Sequence, residues 1–148
     1  MGRFSATVVI DRPIEELFAF LADGENDRLF SDRVQEIQRT TEGPDGVGTV
    51  YASVVKDGGM KTTREFKLTE FDPPSRIRWT ELSKNPITVS EGGYDLEAAG
   101  AGGTRLTLFN VLEGHGFGKL ILPLALRSAR NGGASKIVEK LKQVVEAR

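Results

Sequence analysis

Val9-Ile10-Asp11-Arg12-Pro13-Ile14-Glu15-Glu16-Leu17-Phe18 is where the chain changes its hydrophobic period. Upstream, Phe4, Ala6, Val8 and Ile10 alternate with Ser5, Thr7 and Val9, as in a half-buried strand. Downstream, Ile14, Leu17, Phe18 and Leu21 recur at helical spacing and form an apolar stripe. Pro13 suits a first helical turn, where its missing N–H has no partner, and Glu15 and Glu16 suit the positive end of the helix dipole. Gly24 ends this helix, and a short second one is expected from about Glu25 to Phe30.

Beyond Ser31 the texture is that of an antiparallel meander. Turn residues at Gly43-Pro44-Asp45-Gly46, Asp57-Gly58-Gly59, Asp72-Pro73-Pro74, Asn85-Pro86 and Gly100 to Gly103 punctuate six segments. They fall at about 33–42, 47–57, 60–71, 76–83, 87–98 and 103–113. With the first strand the sheet has seven. The C-terminal part is helical again: Ile137, Leu141 and Val144 share a face. Stepping back by 100° per residue adds Ala134, Gly133, Arg130, Leu126 and Leu122. Pro123 and Gly132-Gly133 leave open whether this helix is continuous. A twisted sheet of this width has an apolar face that one helix cannot fill, so a hollow between the two is expected.

Composition narrows the chemistry. The chain has 148 residues, the length of one domain, and 1–148 reads as a single unit. Its 20 basic and 21 acidic side chains give a net charge of −1, which argues against a general nucleic-acid binder. With no cysteine and one histidine, disulfides, thiolate metal sites and His-rich metal centres are excluded, and no cofactor is called for. The N-terminus lacks the pattern of a secretory signal, and no apolar run approaches the roughly 18 residues of a membrane span. A cytoplasmic protein without integral membrane association is expected. No GxSxG, Walker, HExxH or GxGxxG motif occurs.

The order strand, two helices, six strands, long helix resembles the START-like, or SRPBCC, superfamily, whose fold is the helix-grip of the birch-pollen allergen. The most similar branch is the bacterial polyketide cyclase/dehydrase-like group. Four stretches carry the resemblance: the opening Val9–Phe18 segment, Gly46-Val47-Gly48-Thr49, Thr69-Glu70-Phe71-Asp72-Pro73-Pro74-Ser75-Arg76-Ile77, and Gly103-Thr104-Arg105-Leu106-Thr107. Phe30 stands where the family often has a tryptophan. The resemblance implies an α+β helix-grip: a seven-stranded curved antiparallel sheet, two short helices after the first strand, and a long C-terminal helix over a cavity. It also implies hydrophobic-ligand binding and, in some members, cyclisation or dehydration.

A site in such a hollow draws on inward strand positions and the helix face above them. Ile77, Trp79 and Glu81 share a face, and Trp79 is the only tryptophan. Glu81 beside a hydrophobic cavity is a candidate general acid or base, against the alternative of a solvated strand end. Arg64, Phe66 and Leu68 share another face, so an inward Phe66 brings Arg64 inward, in need of an anion such as Glu81 or a ligand carboxylate. Tyr94 stands with Leu96; Asn110 is the polar exception on the line Leu106, Leu108, Leu112. Tyr51 and Ser53 offer hydroxyls on a strand whose inner face the pattern leaves open. From the helix, Leu126, Arg130 and Ile137 complete the candidate ligand-binding set, with a salt bridge to a sheet acid the simplest role for Arg130. His115, between Gly114 and Gly116, is the second candidate acid/base, against the alternative of a solvated loop histidine.

Three functions are compatible with these residues. One is a binding protein for a small hydrophobic, lipid- or polyketide-like molecule. Another is a cyclase or dehydratase using an inward acid or base. The last is an interaction module, or a homodimer, docking through Leu120-Ile121-Leu122-Pro123-Leu124-Ala125-Leu126, whose Ile121 and Leu124 project away from the core stripe.

Overall fold

The structure, a computed structural model, describes residues 1–57 and 59–148; the Gly58 position of the expected Asp57-Gly58-Gly59 turn lies outside the described residues. Strand β1 (Gly2–Ile10) leads into helix α1 (Ile14–Ala22) and a 3₁₀ helix at Gly24–Leu29. The strands β2 (Val34–Arg39), β3 (Val50–Asp57), β4 (Met60–Asp72), β5 (Arg76–Glu81), β6 (Ile87–Ala99) and β7 (Gly103–Gly114) follow. All pair antiparallel in the order β1-β7-β6-β5-β4-β3-β2. The meander runs strand to neighbouring strand, and β1 closes its far edge against β7.

The first helices follow from local chemistry. Leu17, Phe18 and Leu21 are the buried residues of α1, as their spacing requires. The Asp23 carboxylate accepts the Glu25 N–H at 3.0 Å and so caps the 3₁₀ turn. Phe30 is buried at its end.

The C-terminal helix, whose continuity the sequence leaves open, is broken. It is two α-helices, α2 (Gly118–Ser128) and α3 (Ala134–Glu146), joined by a π turn at Ala129–Gly133. Pro123 is accommodated within α2; the break comes at Asn131 and Gly132, where Gly132 has φ +117°, a conformation that L side chains rarely adopt. Counting back 100° per residue from α3 still reaches Leu122 and Leu126, whereas Arg130 and Gly133 at the break are not buried. In α3 the buried positions are Ala134, Val138, Leu141 and Val145, with Ile137 and Val144 half-buried beside them. In α2 they are Gly118, Leu122 and Leu126.

Helix α3 lies over β1, and α2 over the end of β7. In the core beneath them Ile10, Leu17, Leu106, Val138, Leu141 and Val145 are fully buried. The C-terminus is clasped to the β1–α1 turn. Glu146 accepts the Asp11 N–H at 2.7 Å and Lys142 Nζ–H at 2.8 Å, and Lys142 also donates to the Val9 carbonyl at 2.7 Å.

The outer sheet face is not uniformly solvated. Phe109 is buried there between two guanidinium groups, Arg3 at 4.1 Å and Arg78 at 4.7 Å from its ring centroid. Arg78 on this face is itself buried and donates to Asp95 at 2.8 Å.

Candidate functional site

Register assembles the inner wall row by row. Tyr51 pairs with Phe66, and Phe66 with Glu81. Leu68 pairs with Trp79, Trp79 with Gly92, and Gly92 with Asn110. Ile77 pairs with Tyr94, and Tyr94 with Leu108. Side chains in register share a face, so the sheet brings Tyr51, Phe66, Leu68, Ile77, Trp79, Tyr94, Leu108 and Asn110 onto one concave surface. Leu68, Ile77, Tyr94 and Leu108 are buried and form its floor. Phe66, Trp79 and Asn110 are only half-buried although they face inward, so part of each remains open to solvent.

The indole sets the local geometry. Trp79 packs edge-on against Tyr94, ring centroids 5.0 Å apart. Its Nε1–H donates to Asn110 Oδ1 at 3.2 Å. Asn110 is thereby the structural partner of a neighbouring side chain. The bond depends on Gly92, where a Cβ would stand 2.1 Å from Asn110 Oδ1 and 2.3 Å from Trp79 Nε1.

Arg64 and Glu81 meet at one end of this wall. Arg64 Nη1 donates to both Glu81 oxygens at 3.1 Å and to the Ile87 carbonyl at 3.1 Å. Glu81 also accepts from Ser83 Oγ at 2.6 Å, Asn85 Nδ2 at 2.9 Å and the Val89 N–H at 2.9 Å. Its side chain is 0% exposed. It is neither at a solvated strand end nor in an apolar pocket. The 83–85 loop folds its polar groups back over the carboxylate, so both oxygens are already occupied by protein donors.

The inward acid that patterning missed is Asp27, in the 3₁₀ helix. Burial pushes its carboxyl up to about 7, with the nearby Asp23 charge adding to the effect. It lies close enough to Tyr94 for its charge to bear on the phenol, whose pKa burial raises well above the ordinary value. No buried polar side-chain atom among the described residues lacks a hydrogen-bond partner. The Tyr94 hydroxyl has no protein partner among them, so it borders space that water can reach. Arg33, just before β2, has its pKa lowered first by desolvation and then by the Arg64 charge. The sole signal for Asp27 in the sequence is an acid on a short helix between two hydrophobic elements, which also describes a surface residue.

The remaining expected residues fall elsewhere. Tyr51 and Ser53 face inward and are buried, but the Tyr51 hydroxyl donates to Asp45 at 2.6 Å, and burial with this bond raises its pKa. Leu126 is buried against the backbone of Gly2. Ile137 packs on the core. Arg130 is exposed and donates to the Arg3 carbonyl at 2.7 and 3.2 Å, with a backbone oxygen in place of the expected sheet acid. His115 is exposed at the end of β7, with Nε2 2.8 Å from Thr88 Oγ1; the structure does not bring it into the Glu81 cluster. Among the described residues no group of His, Asp and Glu is placed to hold a metal. Two surface depressions, of about 310 Å³ beside Asp95 and Arg105 and about 460 Å³ beside Gln38 and Thr63, lie on the outer sheet face.

This architecture has known counterparts. A Thermus thermophilus protein, TTHA0849, superimposes with a TM-score of 0.80 at 20% identity, over 99% of this chain and 98% of its own. A START superfamily protein from Mycobacterium smegmatis gives 0.78 at 15% identity, over 98% and 97%. The Zhui aromatase/cyclase from Streptomyces sp. R1128 gives 0.74 at 17% identity, over 97% and 95%. At such identities the likeness is one of fold. No curated protein matches in sequence. The sequence model of polyketide cyclases/dehydrases and lipid transport matches residues 1–146, and the chain belongs to that family.

Proposed function

We propose that this protein binds a small, largely apolar molecule against the concave wall formed by Phe66, Leu68, Ile77, Trp79 and Leu108. The observation that carries this reading is the half-buried state of Phe66 and Trp79 on a face turned toward the helices. Apolar surface there gains roughly 25 cal/mol for each Å² that a ligand covers. The Tyr94 hydroxyl and the Asp27 carboxyl supply polar contacts to orient it, while Arg64 and Glu81 brace the wall. The family's association with lipid transport and polyketides supports the class of ligand.

Native mass spectrometry of the purified protein tests this, together with titration by the apolar dye 1-anilinonaphthalene-8-sulfonate. An apolar adduct, or saturable dye binding weakened about tenfold by Phe66→Ala and Trp79→Ala but retained by Glu81→Gln, is expected. Absence of both adduct and saturable binding contradicts it.

A second reading, catalysis of the cyclase or dehydratase type, is favoured by Asp27. A carboxyl with a pKa near 7 beside a phenol is matched to proton transfer at neutral pH. Asp27→Asn then abolishes turnover of a polyketide-like substrate and leaves its binding intact. Turnover unchanged by this substitution removes Asp27 from the chemistry.

A further inference from the structure

Helix α2 has two apolar faces, and only one is used. Leu122 and Leu126 are buried against the sheet. Phe117, Leu120, Ile121 and Leu124 recur at positions i, i+3, i+4 and i+7 on the opposite side, 66%, 80%, 40% and 64% exposed. The neighbouring linker, which had the option of folding over them, leaves them bare.

Charge is distributed unevenly around this patch. From His115 to Val138 the charged side chains are Lys119, Arg127, Arg130 and Lys136, with no Asp or Glu. The chain as a whole has net charge −1, so this segment is a local positive region. Lys119 and Arg127 flank the apolar residues within the helix itself.

We infer that α2 lies in the plane of an anionic lipid surface, its outward leucines and Phe117 in the headgroup–acyl boundary and its basic residues against lipid phosphates. Apolar side chains on one helical face bordered by Lys and Arg are the pattern of an interfacial helix. A helix of 11 residues is about 16 Å long. It cannot supply the roughly 800 Å² per partner of a stable protein interface. A two-fold dimer through this patch would also bring the same positive charges face to face. Neither difficulty applies to an anionic bilayer.

Co-sedimentation with vesicles separates the outcomes. The probes are vesicles of phosphatidylcholine alone and of phosphatidylcholine with one third phosphatidylglycerol. Binding is expected to the anionic vesicles at least tenfold above the neutral ones, and to fall as salt is raised. Leu120→Ser with Leu124→Ser, and separately Lys119→Glu with Arg127→Glu, should each reduce it about tenfold. All four positions are exposed, so circular dichroism should show both variants folded. Equal binding to the two vesicle types, no binding to either, or a solution dimer that Leu124→Ser dissociates overturns the inference. The dye titration at Trp79 should be unaffected by these substitutions, so this proposal and the internal-ligand reading fail independently.

Discussion

Gly92 is the residue on which the wall's geometry turns, because the Trp79–Asn110 hydrogen bond occupies the volume of its missing side chain. Gly92→Ala should cost about 1–3 kcal/mol, the range for overpacking a well-filled site, and should shift Trp79 emission; chemical denaturation and fluorescence read the two effects. Asp27 gives a second prediction. Its folded-state pKa lies near 7 against an ordinary value of 3.8, so between those values the folded state binds more protons than the unfolded one. Stability should fall as pH rises from about 4 to about 7 and level off above. Asp27→Asn should remove that decline and leave the variant more stable than the wild type at pH 8, which thermal melts across pH will show. A wild type whose stability does not fall over that window contradicts the desolvated carboxyl. At this scale the sequence was only partly legible. Strand parity put Arg64, Trp79 and Glu81 inward, because alternation is local. It did not reveal that Ser83 and Asn85 fold back onto Glu81, or that Asp27 faces Tyr94, since both depend on how loops return in space.

The elements were read more fully than the residues. Period-two runs between turn residues yielded all seven strands, and the short helix expected from about Glu25 to Phe30 is the 3₁₀ helix at Gly24–Leu29. In the C-terminal helix the periodicity located Leu122, Leu126, Ala134 and Leu141 on the buried face, but not the break itself, which comes where Gly132 takes a positive φ. That break lets α2 lie over β7 and α3 over β1. The clasp at the end of α3 supplies an element-scale prediction. Glu146 has a lowered pKa, chiefly from the Asp11 N–H and then from Lys142. A carboxylate so shifted contributes stability above its ordinary pKa of 4.5, lost as pH falls through the folded value. Glu146→Gln should lower the melting temperature at pH 7, and its difference from the wild type should shrink as pH falls below 4.5. A difference that does not change with pH means that the carboxylate charge plays no part in holding α3.

For the whole molecule, fold and family were legible in the order of elements, whereas the shape of the interior was not. A hollow between the sheet and the C-terminal helix was expected. The helices bury Ile10, Leu106, Val138 and Leu141 over β1 and β7, while Phe66 and Trp79 on the wall stay half-buried. Sequence patterning says which faces turn inward; it does not say how far a broken helix reaches across a sheet. The ligand reading rests on that half-buried wall. Acrylamide quenching of Trp79, the only tryptophan in the chain, measures it directly in ligand-free protein. Collisional quenching at about a third of the free-indole rate is expected, reduced when the dye occupies the groove. An indole that acrylamide does not reach would mean that the interior is closed, and would contradict the binding site itself.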